Sequence, residues 1–118
     1  MSLRNQVLTF SQSEKIKSAL IWISQCAGGL SALSPPLRQG AERVLADLVT
    51  MVLGEVHLIR RMAGDADWIE VEKHLDLALV MVRSGVATEA SYHAANALTH
   101  VTAIGRRAMS DLRGQGIL

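Results

Sequence analysis

The chain has 118 residues, with 12 Lys plus Arg against 11 Asp plus Glu, 49% hydrophobic residues and only 3% aromatic ones. This length bounds it to one domain, and its apolar content excludes a disordered chain. The near-neutral balance argues against a strong general nucleic-acid binder, though not against a local basic patch, and the single cysteine, Cys26, excludes an internal disulfide or a thiolate metal cluster.

Pro35 and Pro36 are the only prolines, and Gly64-Asp65, Ser84-Gly85 and Gly114-Gln115-Gly116 are the other breaks. The segments between them run roughly 20 to 30 residues, too long for strands. Residues 1–10 read as an apolar-rich, extended N-terminal arm, 11–114 as one helical domain and 115–118 as a tail. The first helix is expected over Ser13–Leu33, capped by Ser11 or Ser13. Ile16, Leu20, Ile23, Ala27, Leu30 and Leu33 form its stripe. Cys26-Ala27-Gly28-Gly29 is small enough for close backbone approach, with Cys26 a buried, inert thiol, and the glycines bend or end the helix.

The second helix is expected from Pro36, capped by Ser34, to Ala63 before Gly64. Its core stripe is Ala41, Val44, Leu45, Leu48, Val52, Val56 and Ile59, and Arg60 and Arg61 suit the negative end of the helix dipole. The third begins near Asp65 or Asp67 and ends at Ser84-Gly85. Trp68, Val71, Leu75, Ala78, Leu79 and Val82 form one side of it, with Ile69, Leu77 and Val80 on the other. The fourth runs from Thr88 to Arg113-Gly114 with Ala94, Ala97, Leu98, Val101, Ile104, Ala108 and Leu112 inward. Short connections make the fold all-α, an antiparallel up-down four-helix bundle. The third helix carries more apolar surface than one small bundle covers, which points to an oligomer.

The longest apolar run, Leu77–Val82, is far short of the roughly 20 residues that span a bilayer, and the N-terminus lacks a signal-peptide layout. A cytoplasmic protein with no membrane partner is expected.

Glu70/His74 and Glu89/His93 share helix faces at four-residue spacing, but the two pairs stand roughly 14 Å apart along antiparallel helices. They are read as solvated pairs. His57, His74 and His100 fall at similar levels, but His57 lies almost opposite its core stripe, so no metal site is expected there. Glu89, His93, Asn96, His100, Arg107 and Asp111 form a polar flank. No nucleophile elbow and no phosphate-cradling glycine loop is present, so neither a catalytic residue nor a cofactor is expected. Trp22 lies away from the first stripe, and tryptophan is enriched in interfaces. Trp22, Ile69, Leu77 and Val80 are therefore the expected interface residues.

Residues 47–97 resemble the copper-, nickel- and formaldehyde-responsive repressors of the CsoR/RcnR/FrmR family. Gly54-Glu55-Val56-His57-Leu58-Ile59-Arg60-Arg61-Met62 is similar to that family's glycine, Gln-Val, isoleucine and Arg-Met pattern. Gly64–Leu75 resembles the turn and Tyr-Cys-x-Asp-Val segment that follow. The resemblance implies an all-helical, tetrameric, DNA-binding scaffold and makes His93 the one retained metal ligand. Trp68 and Ala97 stand where the family carries cysteines, and one imidazole makes no selective site. The family's basic DNA-contact positions fall near Leu48 and Ser84, leaving Arg43 and Arg83 as the candidate DNA contacts.

The sequence thus reads as a non-enzymatic bundle that associates with itself, as dimer or tetramer, and with an unidentified protein. The alternative is a ligand-altered, DNA-binding repressor.

Overall fold

The computed structural model describes residues 2–64 and 67–117, and within them the chain is all-helical. Four helices, α1 (Leu3–Gly29), α2 (Pro35–Ala63), α3 (Trp68–Arg83) and α4 (Ala87–Gly114), form the expected four-helix bundle. Asp65, one of the two expected starts of α3, lies outside the described residues. Around the bundle α1 and α3 each pack against both α2 and α4, so α1 and α3 sit diagonally.

Residues 2–10 are not an extended arm. Ser2 caps α1 by accepting from the Asn5 backbone N–H at 3.1 Å, and the helix runs unbroken from Leu3. The inward line of α1 continues upstream of Ile16 through Ser13, Thr9 and Gln6, all buried although polar. A hydrophobic pattern that begins at Ile16 therefore cannot reveal the first three turns. Ser13, an expected cap, is instead mid-helix and donates to the Phe10 carbonyl at 2.7 Å. The tail also docks, because the Gln115 amide donates to the Gln6 side chain.

The glycines end helices where the backbone turns. α1 stops at Gly29 and passes through a single 3-10 turn, Leu30–Ala32, so it ends short of Leu33. Gly64 closes α2 at φ 66°, and its N–H donates to the Arg60 carbonyl at 2.8 Å. Gly85, at φ 78°, lets Val86 N–H reach back to the Met81 carbonyl at 2.9 Å, a Schellman closure of α3. Only glycine holds such positive φ without strain. α4 then starts at Ala87, one residue before its expected cap Thr88.

The core follows the expected stripes of α1, α3 and α4, with Ala87, Ala90, Ala94 and Ala97 giving α4 a small-residue inner face. Of the glycines, the one against which another helix packs most tightly is not Gly28 or Gly29. It is Gly105 on α4, where a Cβ would stand 2.7 Å from Ser13 Oγ of α1. Cys26 is exposed rather than buried. α2 departs most from expectation. Its core residues are Leu45, Ala46, Val49, Val52, Leu53, Val56 and Ile59, whereas Val44 is outside and Ala41 and Leu48 are only half-buried.

Candidate functional site

Two regions of the surface are built differently from a plain solvated bundle. The first is the outer edge of α2 beside α1. Leu37, Ala41, Val44, Leu48, Met51, Glu55, Leu58 and Met62 alternate at four- and three-residue steps over about 38 Å of helix. This is the heptad spacing with which one helix recognises another. Leu37, Val44 and Met51 are 66%, 69% and 68% exposed, and Leu58 and Met62 are also exposed. In the sequence this line runs into the core stripe, with Ala41, Val44 and Leu48 expected inside, because α2 carries two apolar faces side by side.

Glu55 is the one charge in that line, and α1 captures it. Gln12 Nε2 donates to Glu55 Oε2 at 2.6 Å and to the Glu55 carbonyl at 3.1 Å, while Lys15 Nζ sits 2.9 Å from Oε1. The Lys15 hydrogen bond first, and the Gln12 bond second, hold the carboxyl below its ordinary 4.5. The same pairing fixes height. With Gln12 and Lys15 opposite Glu55 in antiparallel helices, Trp22 stands level with about residues 45–48. Trp22 is 63% exposed and stands seven residues, two turns, after Lys15, on the same side of α1 as the residue that pairs with Glu55.

The other expected interface residues lie elsewhere. Ile69 and Val80 are exposed and Leu77 half-buried on α3, where the three line one surface hollow with Lys73 and Asp76. Because α3 is diagonal to α1, this patch does not join Trp22.

The second region is the groove between α3 and α4. His93 and His100 are seven residues apart, two turns along one face of α4, and the His74 ring of α3 lies between them. The ring centroids are 6.3 Å apart for His74–His93 and 5.4 Å for His74–His100, with near-parallel planes. Glu70, one turn before His74, completes the group. One donor atom from each of Glu70, His74 and His100 lies within 4.8 Å of the other two. The Nδ1 atoms of His74 and His93 are buried and have no hydrogen-bond partner. Burial first, and the neighbouring His100 second, push His74 below its ordinary 6.5.

His57 does not join this row. It faces α3 and pairs with Glu72 at 3.1 Å, beside the Arg60–Glu72 ion pair. Its place opposite the core stripe of α2 already set it apart from His74 and His100 in the sequence. His93 and His100 share the polar flank of α4 expected from the sequence, but that flank does not reveal that the His74 ring of α3 stacks against both.

Arg43 and Arg83, the candidate DNA contacts, line a single hollow between α2 and the end of α3, together with Gln39, Glu42 and Asp47. Trp68 and Ala97 are fully buried in the core. Among the described residues, no helix is long and apolar enough to cross a membrane. No known protein family, curated protein or solved structure matches the chain.

Proposed function

We propose that this is a non-enzymatic cytoplasmic bundle that works as a homodimer, with α2 packed antiparallel against α2 of a second copy. The observation that carries this reading is the uncovered heptad line of α2. A two-fold axis between Leu48 and Met51 pairs every position of the line with another of its own: Leu37 with Met62, Ala41 with Leu58, Val44 with Glu55, and Leu48 with Met51. Such self-complementarity is what an isologous interface requires. Glu55 does not spoil it, because α1 already holds the carboxylate. Trp22 would flank the axis, where a large aromatic gives the most binding energy.

Sedimentation of the wild type is expected to give a dimer at micromolar concentration. Val44→Glu combined with Met51→Glu should yield a folded monomer, and Trp22→Ala should weaken the dimer. Ile69→Glu with Val80→Glu should leave the dimer intact, since a tetramer would need that α3 patch as a second interface. A monomeric wild type, or dissociation by the α3 pair alone, would overturn the reading.

One observation favours the repressor reading as second choice: Arg43 and Arg83 are brought into the same hollow, 40 residues apart in sequence. Glu42 and Asp47 in that hollow offset their charge. This reading predicts duplex-DNA binding that weakens steeply with salt and with Arg43→Ala or Arg83→Ala. The absence of salt-sensitive retention at low ionic strength would remove it.

A further inference from the structure

We infer that Glu70, His74 and His100 form a binding site for a first-row divalent cation, with Zn2+ the best chemical match. Two imidazoles and a carboxylate are a donor set suited to zinc, and imidazole donors disfavour Mg2+ and Ca2+. Zinc–nitrogen and zinc–oxygen bonds near 2.1 Å at tetrahedral angles put donors about 3.4 Å apart. The donors here lie within 4.8 Å of one another, so closure needs at most about 1.4 Å of side-chain movement. Glu70 is exposed and both imidazoles only half-buried, so they have room to make it.

Three further features point to the same place. The chain has four histidines, and three of them converge here from two helices. The buried Nδ1 atom of His74 lacks a partner, and an unpartnered buried polar atom is costly unless something binds it. Glu70 and His100 also line a surface hollow with Asp67, Ile69 and Arg107, which leaves an approach for the ion and a position for solvent on it. The site is distinct from the position that a family resemblance marks. His93 borders it at 6.3 Å between ring centres, outside the donor group.

An ion held here would tie α3 to α4 without touching the α2 line, so the site stands or falls apart from the dimer. The test is calorimetric titration of tag-free, chelator-stripped protein with Zn2+ alone, together with the visible absorption of Co2+ in the same site. One ion per chain is expected, with Co2+ bands of tetrahedral intensity. His74→Ala and His100→Ala, and the gentler His100→Gln, should each lower affinity at least tenfold, the drop that even an outer-shell partner causes. His57→Ala should leave binding unchanged, and circular dichroism should show each variant folded. Absence of saturable binding, binding indifferent to both His100 variants, or equal loss with His57→Ala would overturn the site.

Discussion

Along its α1/α2 side the bundle leaves a line of leucine, valine and methionine in water. Along its α3/α4 side it half-buries three imidazoles beside a carboxylate. Both arrangements are the reverse of what a lone helical bundle prefers. Exposed apolar area forgoes roughly 25 cal/mol per Å² that burial would return, and an unpartnered buried nitrogen loses the hydrogen bond water would have given it. The α1/α4 seam between them shows neither fault: Ser13 closes on Gly105, and Ser24 meets Ser91 at 3.2 Å. The contrast separates a seam that is finished within one chain from two regions that are not.

The glycines offer the largest test of that contrast. Gly105→Ala forces Ser13 to move and breaks its bond to Phe10, so it should destabilise the chain by about 1–3 kcal/mol despite the better helix propensity of alanine. Gly54, mid-helix in α2, has open space where a Cβ would go. Gly54→Ala should therefore stabilise the monomer by up to about 1 kcal/mol. Urea midpoints of both variants, read at concentrations below dimer formation, check the opposite signs. Equal effects would erase the distinction between finished seam and open face.

Acid offers the next. His74 is held below 6.5 in the folded chain, so the unfolded chain takes up the proton more readily. Its contribution is present above about pH 6.5 and is lost as pH falls through the folded value. The charges acting on it are His100, Glu70, His93 and Lys73, and only Glu70 opposes the shift. Denaturation midpoints are expected to drop between pH 7.5 and 5.5, and to drop less in His74→Gln. The α1/α2 side should be silent over that range, because Glu55 is held below 4.5 and stays ionised throughout.

The smallest effect concerns the clasp on Glu55. Lys15 is largely exposed, so solvent screens its ion pair, and Lys15→Ala should cost under about 1 kcal/mol of monomer stability. Its sharper consequence is expected in assembly. A less tethered Glu55 turns into the apolar line, and the dimer should weaken more than the monomer does, as read by sedimentation and thermal melting together.

Much of the fold was legible in the residues. Glycine at positive φ and proline near α2's first turn are local constraints, so the ends at Gly64 and Gly85 followed from chemistry at single positions. The inner faces of α3 and α4 were legible because in each one apolar line runs at regular three- and four-residue steps along the helix. Where polar residues continue a buried line, as Gln6, Thr9 and Ser13 do, periodicity went blind and the first turns of α1 read as an arm. Where two apolar lines share one helix, as on α2, periodicity could not say which faces inward, and Val44 was placed on the wrong one.

By itself, then, the sequence determined the number of helices, their breaks and the inner faces of three of them, since those depend on contacts within a few turns. Only the tertiary structure decided which line of α2 is buried and that Trp22 belongs with α2 rather than α3. It alone decided that the His74 ring of α3 stacks against both His93 and His100 of α4. Those outcomes depend on the rotation of each helix about its axis and its height against a neighbour. Both are set by summed packing across the bundle rather than by residues near in sequence.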